Sequence, residues 1–185
     1  GFSVRTDTVF RRVLQPGWNL VGNPYAFPIP LSHVSTMSGQ PLDIRSYLGS
    51  WSTHGDDLDP FEGYIVLNAN AEIDSLLINP DLSPVFEKSA TSATAKTTSP
   101  VWSVHIDGYI DGAMDTDNAA VAGQSASREW DSQDRPEPPV IGDYVSIFFP
   151  HPEWYRTTYR FNVDARPDPV DGDVWSFEID TRLPG

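Results

Sequence analysis

The chain has 185 residues, 39% of them hydrophobic and 12% aromatic, with no cysteine and a formal net charge of −14. That length can bury a sizeable core in one large or two small domains, and without cysteine there are neither disulfides nor thiolate metal sites. A pI of about 4.4 argues against DNA, RNA or anionic lipid as partners, since binding those depends on Lys and Arg displacing counterions, and no apolar run nears the ~20 residues that would insert into a membrane.

In chain order, short apolar runs alternate with turn punctuation. TVFRRVL (8–14), WNLVG (18–22), IRSYLG (44–49), EGYIVLN (62–68) and IDSLLIN (73–79) are separated by Pro-Gly, Gly-Asn-Pro, Ser-Gly, Gly-Asp-Asp and Asn-Pro signals, the pattern of strands. Between the second and third, LSHVSTM (31–37) has room for one helical turn or two. In PGWNLVGNPY the alternation places Trp18 and Leu20 together, facing the first core. Pro24, with no amide hydrogen, ends the ladder, which makes this aromatic motif mainly architecture.

A Ser/Thr/Ala/Lys tract, EKSATSATAKTTSP (87–100), breaks the pattern and reads as an interdomain linker over 88–100. After it, VWSVHIDGY (101–109), DYVSIFF (143–149), TTYRFNVDA (157–165) and DVWSFEID (173–180) are again strands. Alternation groups Trp102, Val104 and Ile106 on one side, and Trp175, Phe177 and Ile179 on another, and assigns Trp102 and Trp175 to the core. The fold class expected is all-β, mostly antiparallel, with two consecutive β-sandwich or small-barrel domains over 1–87 and 101–185.

The residues that could carry chemistry are few in type. His33, His54, His105 and His151 lie far apart with no metal-ligand spacing, and no nucleophile elbow, phosphate loop or dinucleotide fingerprint is present, so no residue is assigned a catalytic role and the chain is read as a non-enzyme. The acidic stretch from Asp107 to Pro139 is read as a loop, and within it Asp115, Asp117, Asn118, Asp131 and Asp134 are oxygen ligands of the type that calcium takes. The other reading is a solvated loop whose Asp and Asn serve turns. Trp51, Trp130 and Trp154, the last followed by Tyr155, lie in polar, turn-rich sequence. Such rings stack on the C–H faces of sugars while neighbouring polar groups bond the hydroxyls.

The pairing of WNLVGNPY (18–25) with PFEGYIVLN (60–68), and of the W-x-V-x-I strand with DTDNAAVAGQSASREWDSQDRPEPP (115–139) and YVSIFFPHPEW (144–154), resembles the β-rich C-terminal accessory regions of large secreted multidomain bacterial proteins, including cargo of the type IX secretion system. The resemblance implies a secreted or cell-surface location and covalently linked neighbouring domains. It makes Trp18, Asn19, Gly22, Asn23, Pro24, Gly63 and Tyr64 fold signatures. The start at Gly1, without a leader, adds the expectation of a segment cut from a longer chain. Two functions are expected from different classes: a non-catalytic module that binds neutral polysaccharide or oligosaccharide through Trp51, Trp130, Trp154 and Tyr155, or a structural spacer or protein-interaction region with no ligand of its own.

Overall fold

The computed structural model describes residues 4–81, 100–154, 158–169 and 172–183. The fold is all-β: among the described residues there is no α-helix, only two short 3-10 turns. One of these, Leu31–His33, is the single helical turn within LSHVSTM. The chain divides into two compact units, the first from 1–46 and 53–94 and the second from 47–52 and 95–185. The tract read as a linker lies outside the described residues except for Pro100.

Seven short strands precede residue 82: β1 (Phe10–Leu14), β2 (Gly17–Gly22), β3 (Val34–Thr36), β4 (Ile44–Tyr47), β5 (Trp51–Thr53), β6 (Gly63–Asn68) and β7 (Asp74–Ile78). They form a three-stranded sheet, β1-β7-β3, and a four-stranded sheet, β2-β6-β4-β5. Tyr47–Ser52, which spans the last residue of β4, the turn after it and the start of β5, goes with the second unit and the rest with the first. Leu14, Ile29, Leu58, Val66, Leu76 and Ile78 are fully buried and make the centre of the first core.

The alternation in β2 is as expected, but the core lies on its other side. Val21 is buried opposite Tyr64, whereas Leu20 is 71% exposed and Trp18 only half-buried. The reason is β6, in which Tyr64, Ile65 and Val66 are all buried, so that apolar character alone does not tell which face holds the larger core. On the Leu20 side Arg45 is fully buried, its guanidinium 5.5 Å from the centre of the Trp18 ring and its Nε donating to Asp43 at 3.1 Å. The Gly-Asn-Pro turn is locked by Asn23. Its Nδ2 donates to the carbonyls of Phe27 and Leu58, each at 2.7 Å, and its Oδ1 accepts the Tyr25 N–H at 2.8 Å.

The second unit holds β8 (Trp102–Ile110), β9 (Ala113–Gly123), β10 (Arg135–Pro136), β11 (Tyr144–Pro150), β12 (Arg160–Pro167) and β13 (Glu178–Arg182). The sheet order is β13-β11-β12-β9-β8, with β10 on β12, and every pairing is antiparallel except β12 with β9. The sheet curls, bringing Gly108 of β8 beneath Ile147 of β11, where a Cβ would meet the Ile147 Cδ1 at 2.9 Å. Val145, Ile147, Phe149, Phe161 and Ala165 are buried in this unit.

Three expectations are corrected here. The acidic stretch is not a loop at its start: Asp111 (φ 43°) and Gly112 (φ 88°) make the tight turn of a hairpin, and Asp115, Asp117 and Asn118 stand on β9. Asp, Asn, Gly and Ala are all poor strand formers, and this hid an eleven-residue strand. Next, Trp102 and Val104 are exposed, because β8 is an edge strand. Finally, DVWSFEID is extended strand only from Glu178. Trp175 is half-buried before it, stacked edge-on against Trp102 at 5.2 Å, while Phe177 and Ile179 are exposed.

These burial differences set expected stabilities. Leu58→Ala, at a fully buried position, should cost about 2–5 kcal/mol, and Leu20→Ala, despite lying in the aromatic motif, about 0.5 kcal/mol or less. Chemical denaturation followed by tryptophan fluorescence checks both. Equal losses would place Leu20 in a core that its exposure denies.

Candidate functional site

In the second unit there is a shallow cleft with about 40 Å³ of accessible space. Its construction follows from local sequence. Glu137-Pro138-Pro139-Val140-Ile141 contains two adjacent prolines that give no ladder hydrogen bonds, so nearby carbonyls are left to accept from side chains. The Trp51 indole Nε1 donates to Pro139 O at 2.7 Å, and the Tyr47 hydroxyl donates to Ile141 O at 3.3 Å. The two rings meet edge to face, with centres 5.1 Å apart. Gly49, at φ 91°, supplies the left-handed residue that the short Tyr47–Trp51 turn requires.

The facing wall is polar. On β9 the period of two brings Asp115 and Asp117 to one side, and both line the cleft with Glu137 and Asn162. The Asp115 carboxylate accepts the Ile147 N–H at 2.7 Å. Burial pushes its carboxyl above the ordinary range, with Asp107 adding to the effect while the Ile147 N–H, Asn118 and Arg160 oppose it. Arg135 lies 3.5 Å from Asp117, and Asn162 Nδ2 donates to the Asp117 carbonyl at 2.8 Å. Glu137 accepts the Ser146 hydroxyl at 2.7 Å.

Of the aromatic candidates, Trp51 lines this cleft and is half-buried. Trp130 is half-buried and does not line it. Trp154 is only 9% exposed: it stacks flat on His151 at 3.6 Å and meets the Phe161 ring edge at 4.7 Å. Tyr155 lies outside the described residues. The carboxylates are divided as well. Asp115 and Asp117 face the cleft, Asn118 is fully buried with its Nδ2 donating to Ile106 O at 3.3 Å, and Asp131 and Asp134 belong to a separate turn. In that turn Asp131 accepts the N–H groups of Ser127 and Gln133, and Asp134 those of Asp131 and Ala165, all at 2.7–2.9 Å. Backbone donors thus stabilise these carboxylates, and among the described residues no three acidic or histidine side chains form a metal-holding group. Tyr47, Tyr144, Glu137 and Asn162 are the cleft residues that sequence reasoning missed. The signal for Tyr47 was present, as an aromatic pair flanking a Gly turn, which is the usual hairpin cross-strand arrangement.

Behind Trp154 lies a buried charge network. His151 shares one ring nitrogen with Glu153 at 2.7 Å and the other with fully buried Asp164 at 3.1 Å, and Arg166 donates to Asp164 at 2.7 Å. Burial works against the imidazolium, but the two carboxylates outweigh it and raise the His151 pKa. For Asp164 burial works upward, yet His151 and Arg166 prevail and hold it low. Asp134 goes the other way, since burial pushes its carboxyl up to about 7.

No protein-family model, curated protein or solved structure matches the chain.

The titrating groups predict a pH profile. A native pKa raised above the unfolded value gives stability that is complete below the unfolded value and lost as pH rises through the native one. For Asp134 the loss runs from about 3.8 to about 7, and for His151 it begins above about 6.5. Asp164, held low, contributes above its unfolded value and loses that contribution in acid. The melting temperature of the second unit should therefore fall as pH rises from mildly acidic to neutral, and Asp134→Asn should flatten that fall. A melting temperature that climbs over this range would contradict the assignment.

Proposed function

We propose that the chain is a non-catalytic accessory module of a secreted protein and that its second unit binds carbohydrate in the cleft formed around Trp51. The observation that carries this reading is the Tyr47–Trp51 pair, fixed by Trp51 Nε1 on Pro139 and bordering a cleft whose other wall is lined by carboxylates. A sugar ring presents a C–H face, which an aromatic ring accepts, and an edge of hydroxyls, which those oxygens accept. A binding role without chemistry is supported by the engagement of Asp115 with Ile147 N–H and of Asp117 with Arg135, since both carboxylates already have partners in the sheet. Export and linkage to further domains rest on the likeness of the WNLVGNPY and PFEGYIVLN segments to secreted accessory regions.

The spacer reading has one observation in its favour. Burial of Trp154 against His151 and Phe161 takes one of the three loop indoles away from the surface.

Affinity electrophoresis in gels of neutral polysaccharide separates the readings. Wild-type protein should be retarded on at least one glucan, mannan, xylan or galactan. Trp51→Ala should lose most of that retardation at a stability cost of about 1 kcal/mol, while Trp154→Ala should act by destabilising the fold, by about 3 kcal/mol or more. Unretarded migration of the folded wild type on every gel would leave the spacer.

A further inference from the structure

We infer that an apolar groove in the first unit takes up an extended peptide as an added strand on β1, with an acidic residue of that peptide against Arg12. The inference concerns the other unit from the carbohydrate reading and does not rest on it.

β1 and β2 are end strands of their two sheets and are joined by the corner at Gln15 and Pro16. The outer backbone groups of each therefore have no strand partner among the described residues. Toward the other ends of these strands lies a groove with about 440 Å³ of accessible space. One wall is the face of β1 and β7 made by the pairs Phe10–Ile78 and Arg12–Leu76. The other is the end of β2 and β6, where Gly22 opposes Gly63. Two facing glycines put no side chain into the space, and a Cβ on Gly63 would meet nothing within 4 Å. A free strand edge beside side-chain pockets suits an extended peptide, because the edge bonds its backbone and the pockets take alternate side chains.

Two observations point to an occupant. Phe61, which lines the groove, is the third residue of the Asp59–Glu62 turn and has φ 66°, a conformation that fits glycine. It is 91% exposed, and among the described residues its ring meets no other ring, so no stacking offsets that strain within the fold. In the groove the same ring is an apolar wall for a ligand. The second observation is charge. Arg12 and Glu62 are the charged residues of the lining, and among the described residues neither side chain has an ion pair or a hydrogen bond. Arg11, on the opposite face of β1, differs, since its Nε donates to Ser75 Oγ at 2.9 Å.

A strand added antiparallel to β1 has one residue opposite Arg12 and, two positions on, another opposite Phe10, both facing the groove. Two positions further it passes β1 toward the Glu62 end. The lining then calls for an acid, an apolar side chain and a base at these three positions in turn.

The probes are two fluorescein-labelled heptapeptides of equal composition, Thr-Glu-Thr-Val-Thr-Lys-Thr and the same peptide with Glu and Lys exchanged. Each is titrated with the full chain and read by fluorescence anisotropy. The first should bind about tenfold tighter, and Arg12→Glu should abolish or reverse that preference. Gly63→Leu, which fills the groove where there is room, should abolish binding and leave the melting temperature unchanged. Phe61→Gly should weaken binding while the melting temperature stays or rises, a combination that a purely structural Phe cannot give. If Gly63→Leu fails to fold, the other two variants decide. Equal affinity for the two peptides, preference for the exchanged one, or no binding of either overturns the inference and leaves the carbohydrate reading intact. A dimer in sedimentation equilibrium that Gly63→Leu dissociates would put a second copy of the chain in the groove and would also overturn it.

Discussion

The second unit depends on one hydrogen bond across its curl, from the Ile147 N–H to the Asp115 carboxylate. β11 pairs with β12 only through Phe149 and Pro150, so the backbone earlier in β11 must find other partners. β13 supplies partners on one side, and the Asp115 carboxylate on β9 accepts the N–H of Ile147. Gly108 completes the closure, because with no side chain it lets β8 pass beneath Ile147 and Val145. The same carboxylate that closes the sheet also lines the cleft. Burial raises its pKa, so the group that organises the site is one whose charge is costly to keep.

That cost recurs through the unit and is met in three ways. In the turn from Ser127 to Asp134, backbone N–H groups surround the acids. Around Asp164 the partners are His151 and Arg166, with Arg166 also over the Trp175 ring at 4.8 Å. In the cleft, Arg135 lies against Asp117 and Ser146 donates to Glu137. A chain with net charge −14 therefore has acids of different kinds.

The tryptophans show the same divergence from similar sequence. Trp51 and Trp154 both sit in short polar segments, next to Ser and Glu respectively. A carbonyl left over beside a proline holds Trp51 by its nitrogen and keeps the ring at the cleft. A stacked imidazole and a phenylalanine edge draw Trp154 inward. The carbonyl that holds Trp51 is 88 positions away, so no local pattern marks its place.

Sequence by itself determined the all-β class, the positions of most strands, the turn at Gly22-Asn23-Pro24 and the pairing of residues on each face, because these follow from local sterics and a period of two. It also supplied Trp51, Asp115 and Asp117 as candidates, though not as neighbours. Tertiary structure decided which face of β2 meets the core, since β6 is apolar on both sides. It decided that weak strand formers such as Asp115, Asp117 and Asn118 lie on a strand, since the Asp111-Gly112 turn and the pairing with β8 outweigh their propensities. It assembled the cleft from Tyr47, Trp51, Asp115, Glu137 and Asn162, spread over more than a hundred positions, because burial and hydrogen-bond satisfaction are set by partners that only the folded chain brings together.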